Sequence, residues 1–231
     1  MIARIDYGQA GWPFIARIMN ENSDRLSRTR KGVSDTSTSD VKRPLLLAGE
    51  ALKRRSAENE ERAQRYVFDV RSDPPPADGR DVLGILWGVA DRTNDGLLPS
   101  GKLREWAIKR TPNGGANGVV DAVPVSGLEM ALGRFADQIA ARWSELACDP
   151  VPLAAWAEWE LNGGSLHPFY DGCGRISRSF AALLLVRSGC LLPLYDDIGS
   201  YFFHGNQGEE AFVQYVRNRI TACRQWQASV T

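Results

Sequence analysis

Helical periodicity and chain-breaking residues divide this sequence into segments of helix length, and only one stretch favours β-strands. Apolar residues recur at helical spacing over 80–91 and 208–227, and the stretches 44–71 and 174–188 are also typical of helices. Residues 112–125 combine Asn-Gly turn signals with a run of valines, which is typical of a β-hairpin. The sequence therefore predicts a mostly α-helical protein with one small β-hairpin.

Three more helices are predicted from local signals around that stretch. Ser126 and Glu129 have the spacing of a capping box, so we expect a helix from Ser126 to about Cys148. A second helix should run over 150–162 and end at the glycine pair that follows it, because glycine commonly terminates helices. A third, short helix is expected over 101–110.

The composition is that of a globular protein and argues against several functions. Of 231 residues, 43% are hydrophobic and 24% are charged, which suits one or two folded domains. The 28 Lys and Arg residues balance 28 Asp and Glu residues, so we do not expect a protein that mainly coats nucleic acid or a membrane. Because neither a membrane-spanning run nor a signal peptide is visible, we expect a cytoplasmic location with no membrane partner.

Residues 167–178, HPFYDGCGRISR, carry the clearest chemical signal and open a predicted apolar helix. Gly172 and Gly174 allow a phosphate to approach the backbone closely, and the first N–H groups of a helix attract anions. Arg175 and Arg178 are three residues apart, so they share roughly one helix face and can bind further phosphate oxygens. The pattern predicts a phosphate site at this helix start.

Two more side chains of this stretch suit a reaction at that phosphate. Asp171 is adjacent to the anion site, where a carboxylate is unfavourable unless a divalent cation separates it from the phosphates. His167 precedes the helix by a short loop and can act as a general base, since histidine exchanges protons near neutral pH. Together these groups indicate phosphoryl or nucleotidyl transfer.

The same twelve residues resemble the motif of the Fic (Fido) family, HxFx(D/E)GNGRxxR, and the resemblance extends over about residues 80–227. It implies a helical-bundle enzyme that transfers AMP, or another nucleoside monophosphate, from ATP or another nucleoside triphosphate to a hydroxyl side chain of a target protein. His167 would deprotonate that hydroxyl, Asp171 would hold Mg²⁺, and Phe169 would anchor the loop in the core. The backbone at Gly172, Cys173 and Gly174 would form the anion hole for the nucleotide, and Arg175 and Arg178 would hold its β- and γ-phosphates.

The resemblance also divides the chain. Residues 80–231 would form the Fic-like catalytic domain, and 1–79 a helical extension with a mobile polar segment at about 20–43. The hairpin at 113–125 would be the flap on which a Ser-, Thr- or Tyr-bearing segment of the target, a host or partner protein, docks by strand addition. The family's inhibitory pattern (S/T)xxxE(G/N) has no strict match, although 56–61 (SAENEE) has its Ser-to-Glu spacing, and a regulatory partner protein is another candidate for control.

One position departs from the family pattern, because Cys173 stands where the motif has Asn. A thiol is a weaker hydrogen-bond donor than an amide, so three alternatives stay open. The protein could perform a phosphoryl-type transfer with a different donor, or it could be a catalytically impaired binding or regulatory protein. Cys173 could also act as a nucleophile, because a helix start beside arginines lowers a thiol pKa.

Overall fold

The structure is a computed structural model, and it confirms the mostly α-helical class. It describes residues 7–26, 46–47, 49–98, 103–105, 109–110, 120–163 and 166–230. Within these ranges the chain forms eight α-helices and one two-stranded antiparallel ladder. None of the helices in this part of the chain combines the length and the apolar character that a membrane crossing requires.

The helices are α1 (Tyr7–Leu26), α2 (Gly49–Asp69), α3 (Gly79–Asn94), α4 (Leu128–Ala141), α5 (Pro150–Glu158), α6 (Cys173–Arg187), α7 (Ile198–Asn206) and α8 (Glu209–Val230). The strands are β1 (Lys109–Arg110) and β2 (Val120–Asp121). A π-helical turn, Trp159–Gly163, continues α5, and the loop after this turn leads into the motif. Single π-helical turns occur frequently at functional sites.

Helix α6 lies at the centre of the core and packs against α5, α2 and α3. Most of its residues are buried, including Ile176, Phe180 and Leu184. A helix that is apolar on nearly all sides is stable only when other elements surround it. Burial of one such side chain contributes about 2 kcal/mol, so the motif is attached to one of the most firmly packed elements of the fold.

Both N-terminal helices pack onto the same core. Helix α1 is bent at Gly11, where φ is +66°, and its residues Ile15 and Ile18 join the core together with Val67 of α2. Residues 20–26, which were predicted to be mobile, belong to α1, so that part of the prediction is wrong. Asn22 and Leu26 are the buried residues of this segment, and they anchor it to the core. Residues 27–45 lie outside the described residues.

The prediction of a helix over 101–110 is wrong. Leu103 forms an isolated antiparallel bridge with Phe169, and Lys109–Arg110 is strand β1. Pairing with a distant segment replaces the helix that local propensity favours, as often happens in short stretches.

The ladder that accompanies the bundle is shorter and begins earlier than the hairpin predicted at 113–125. Lys109 pairs with Asp121 and Arg110 pairs with Val120, while 111–119 lie outside the described residues. The capping box predicted downstream is absent, because the chain makes a 3₁₀ turn first and α4 begins only at Leu128.

Candidate functional site

The motif forms the loop before α6 and the first turns of that helix. Gly172 precedes the helix with φ of 78°, and a Cβ added there would lie 2.8 Å from Asn94 Oδ1. A Cβ added at Gly174 would lie 3.1 Å from a guanidinium nitrogen of Arg178. Backbone conformation and packing therefore require glycine at 172, whereas at 174 a side chain would need a shift of Arg178. The first N–H groups of α6, which have no acceptor within the helix, can bind an anion.

His167 lies in the base loop, as we name residues 166–169. In the part of the chain that is described, it is the one non-glycine residue with a positive φ, 37°, a conformation that costs about 1–3 kcal/mol. Its Nδ1 lies 3.3 Å from the carbonyl oxygen of Asn162, which belongs to the π-helical turn after α5. Because a carbonyl oxygen only accepts, this contact favours a proton on Nδ1 and a lone pair on Nε2.

The base loop is also held by an arginine that the sequence analysis missed. Arg104 is 1% exposed, and its Nε donates to the carbonyl oxygen of His167 at 2.8 Å. Nothing in the sequence distinguishes Arg104 from the other basic residues of its helix-like stretch. Its position depends on the pairing of Leu103 with Phe169, which local sequence does not reveal.

Phe169 and Cys173 direct their side chains into the core. The Phe169 ring is buried and meets Trp87 edge to face, with 5.6 Å between the ring centroids. Cys173 is 3% exposed, and its Sγ lies 3.5 Å from the carbonyl oxygen of Phe169. The thiol therefore packs behind the start of α6, which leaves the backbone of Cys173 as the group that can contact a ligand.

Asp171 follows the base loop and lies near two polar side chains. One carboxylate oxygen is 4.0 Å from the Arg175 guanidinium, and the backbone carbonyl accepts a hydrogen bond from Asn94 Nδ2 at 3.4 Å. That hydrogen bond fixes the orientation of the Asn94 amide, since a carbonyl cannot donate. Asn94 is 7% exposed, and its Oδ1 is buried without a hydrogen-bond partner. A second oxygen is thus available close to Asp171.

Arg175 and Arg178 form what we call the arginine face of α6. Arg175 donates to the hydroxyl of Ser56 in α2. Arg178, in contrast, makes no hydrogen bond or ion pair with the residues that the structure describes. The α2 segment with the Ser-to-Glu spacing of the inhibitory pattern therefore lies directly on the arginine face, although its sequence lacks the strict pattern.

A small cavity lies beside the arginine face, and both polar and apolar side chains of α1, α2, α5 and α6 line it. Its volume is about 30 Å³, which is enough to hold bound water. Glu60 and Gln64 line it from α2, and the buried Gln64 amide has no hydrogen-bond partner on either atom. The Gln64 amide and the two arginines suit a polar occupant, and α2 forms one wall of this cavity.

A buried carboxylate that the sequence analysis missed lies beneath the site. Glu158 is 2% exposed and accepts hydrogen bonds from the hydroxyls of Tyr195 at 2.6 Å and Tyr201 at 2.7 Å. Burial raises the pKa of Glu158, an effect that the two hydroxyls and the charge of Arg178 oppose. Because Asn162 Nδ2 donates to the Tyr201 hydroxyl at 3.2 Å, this network extends from Glu158 to the residue that contacts His167.

No known family model matches the sequence, and no curated protein is significantly similar to it in sequence. Solved structures, however, are similar to it. A fragment of Fic-1 from C. elegans has a TM-score of 0.66 and 17% identity, with 94% of this chain and 63% of that chain covered. A Fic domain containing signaling protein from Bacteroides thetaiotaomicron VPI-5482 has a TM-score of 0.63 and 13% identity, with 92% and 88% covered.

This chain has the Fic fold. A Fic family protein from Desulfovibrio desulfuricans G20 is also similar, with a TM-score of 0.53, 14% identity, and 95% and 75% of the two chains covered. The chain spans less than two thirds of the Fic-1 fragment, 63% of its length. The match covers 94% of this chain, which is more than residues 80–231 contain.

Proposed function

We propose that this protein transfers a nucleoside monophosphate from a nucleoside triphosphate to a hydroxyl side chain of a target protein. The observation that supports it most is the convergence of four chemically distinct groups at the start of one helix. A histidine with a hydrogen-bonded Nδ1 lies at one end of the motif loop, and two arginines lie at the other. Backbone N–H groups and the Asp171 carboxylate lie between them.

In this proposal the target hydroxyl oxygen attacks the α-phosphorus of the nucleotide. A new oxygen–phosphorus bond forms while the bond from the α-phosphorus to the bridging oxygen breaks, and pyrophosphate leaves. The hydroxyl proton passes to Nε2 of His167, because Nδ1 already carries a proton on the Asn162 carbonyl. Arg175, Arg178 and the helix start stabilise the negative charge of the leaving group.

The residues near Asp171 fit a Mg²⁺ ion. Mg²⁺ prefers oxygen ligands, and the Asp171 carboxylate and the unpartnered Asn94 Oδ1 are both oxygen donors. The described residues hold no group of three or more His, Cys, Asp or Glu side chains that could bind a metal alone. Asp171 and Asn94 would therefore supply part of the coordination, and substrate phosphates and water the rest. When bound, Mg²⁺ would neutralise charge on the polyphosphate.

Helix α2 would control access to the nucleotide site. Ser56 contacts Arg175, and Glu60 and Gln64 of α2 line the same cavity as the two arginines, so a triphosphate bound to both arginines would have to displace contacts of α2. A regulatory partner protein that moves α2 would then activate the enzyme. The target segment would dock by strand addition at the β1–β2 ladder, and we expect the reaction to take place in the cytoplasm.

A catalytically impaired binding protein is the second candidate, and the position of Cys173 favours it. With its thiol in the core, the side chain offers no amide to a phosphate where the motif has Asn. Tight binding of Mg-ATP without transfer would support this candidate, and activity of Cys173→Asn would identify the thiol as the cause. Burial of the thiol argues against Cys173 as a nucleophile.

The deciding experiment uses ATP, GTP, CTP and UTP labelled at either the α- or the γ-phosphate, with cell lysate as the source of targets. The proposal predicts protein labelling from an α-labelled donor and none with His167→Ala. Labelling only from a γ-labelled donor would support phosphoryl transfer. Absence of label from every donor, with no difference from His167→Ala, would contradict both reactions.

A further inference from the structure

An extended segment, residues 103–105, lies along the motif loop. Leu103 forms an antiparallel bridge with Phe169, and the backbone N–H of Arg104 donates to the carbonyl oxygen of Pro168 at 2.9 Å. The segment thus pairs with the base loop through the backbone. This pairing places the Arg104 side chain between the base loop and the segment that follows strand β2.

The Arg104 guanidinium joins two separate parts of the chain. Its Nε donates to the carbonyl oxygen of His167 at 2.8 Å, and one terminal nitrogen donates to that of Leu166 at 3.4 Å. The same nitrogen donates to the carbonyl oxygen of Val123, two residues after strand β2. Because a guanidinium carries several N–H donors in one rigid plane, it can bind all three carbonyls at once, whereas a lysine ammonium is a point donor.

His167 requires such support. Its φ of 37° is unfavourable for a residue with a Cβ, so the surrounding structure has to hold the backbone in place. The contacts to Arg104 through the carbonyl and to Asn162 through Nδ1 restrain the residue at both its backbone and its ring. Burial lowers the pKa of Arg104, but a guanidinium stays charged at neutral pH, so its hydrogen bonds are charge-assisted.

We propose that Arg104 is a positioning residue that holds the base loop in its positive-φ conformation and ties His167 to the root of the flap at Val123. The inference rests on the proposed function insofar as His167 is the general base. The proposal also links target binding to the base, because the guanidinium that orients His167 is bonded to Val123 at the root of the flap, where the target segment would dock. Arg104 is assigned this role through His167, because its hydrogen bonds go to the backbone carbonyls of His167, Leu166 and Val123.

The test compares Arg104→Lys with Arg187→Lys. Arg187 is a matched control, because burial also lowers its pKa and it donates to the backbone carbonyls of Val70, at 2.9 Å, and Asp73, on another side of the molecule. The chain has two histidines, so the imidazole NMR signals of His167 and His204 report separately on the base loop and on α7. This readout needs no substrate, so its result does not depend on whether transfer is observed.

We expect Arg104→Lys to shift or broaden the His167 signal and to leave His204 unchanged, while Arg187→Lys changes neither. In the transfer assay kcat should fall about 10- to 100-fold at constant KM for the nucleotide, since small misplacement of a base has effects of that size. A folded Arg104→Lys protein with an unchanged His167 signal would overturn the proposal. If that variant does not fold, hydrogen exchange of the Arg104 Nε–H in the wild-type protein decides, and exchange as fast as in exposed arginines overturns it.

Discussion

The base loop and the arginine face lie at opposite ends of the same twelve-residue motif, and the structure holds them in different ways. The base loop is bound through backbone atoms: Arg104 donates to its carbonyls, and the carbonyl of Asn162 contacts its histidine. The arginine face is bound through side chains. Ser56 accepts from Arg175, while Arg178 makes no hydrogen bond with the described residues.

This difference assigns separate tasks to the two ends. Hydrogen bonds from a buried guanidinium to backbone carbonyls fix a conformation, because breaking them would leave buried polar groups without partners. A single side-chain contact between two helices can be exchanged for a ligand at small cost. We therefore expect changes at the base loop to alter the rate of the chemical step, and changes at the arginine face to alter nucleotide affinity.

The largest effect should come from His167→Ala. Loss of a general base lowers kcat about 100- to 10,000-fold, and the KM for the nucleotide should stay near that of the wild type. The control is His204→Ala, since His204 stacks on Tyr215 with 4.6 Å between ring centroids and lies outside the motif. An equal fall of kcat in His167→Ala and His204→Ala would contradict the assignment of His167 as the general base.

At the arginine face, Arg178→Ala should act mainly on binding. Hydrogen bonds to a charged group contribute about 1.5–3 kcal/mol, so the Kd for Mg-ATP measured by calorimetry should rise roughly 10- to 100-fold. Arg134→Ala, an exposed position on α4, is the control and should leave the Kd unchanged. An unchanged Kd in Arg178→Ala would show that the arginine face does not bind the nucleotide.

A smaller change of the opposite sign is expected for Ser56→Ala. Removing the hydroxyl that accepts from Arg175 frees this arginine and weakens the hold of α2 on α6. A neutral hydrogen bond contributes about 0.5–1.5 kcal/mol, so the affinity for Mg-ATP should increase roughly 2- to 10-fold. The exposed Ser72→Ala serves as control. Weaker binding in Ser56→Ala would contradict a covering role for α2.

The smallest effect should come from Glu158, the buried carboxylate of α5, whose contribution to the stability of the protein should depend on pH. Because burial raises the pKa of Glu158 in the folded state, folding favours its protonated form. Its contribution to stability is therefore largest below the ordinary Glu pKa of about 4.3 and is lost as the pH rises through the raised pKa. The Tm of the wild type relative to Glu158→Gln should fall as the pH increases from 4 to 8.

The exposed Glu145, which pairs with Arg142, provides the control for that measurement. The Tm of the wild type relative to Glu145→Gln should change little over this range. A Tm difference for Glu158→Gln that is constant with pH would show that the buried carboxyl does not titrate as its burial implies.

The parts of the fold that the sequence predicted are those determined by neighbouring residues. Helices α3, α6 and α8 follow from apolar periodicity, and the motif at the start of α6 follows from consecutive glycines and arginines. A helix over 150–162 was also predicted, and α5 with the π-helical turn that continues it covers this range. These signals are local, so they can be recognised without knowledge of the tertiary structure.

Residues whose roles depend on distant partners could not be predicted. Arg104 is located by a bridge between Leu103 and Phe169, far apart in the chain, and its own stretch has good helix propensity. Glu158 looks like a polar residue of an apolar helix until its hydroxyl donors, more than 30 residues away, are known. The inward direction of the Cys173 thiol likewise depends on the packing around α6.

The most direct test of the central claim is the intact mass of the labelled protein after incubation with each nucleoside triphosphate and Mg²⁺. Proteins that take up label from lysate, and the enzyme itself, are measured before and after the reaction. The account predicts an increase equal to one nucleoside monophosphate, lost in His167→Ala and retained in His204→Ala. An increase equal to one phosphoryl group, or no increase with any donor, would contradict it.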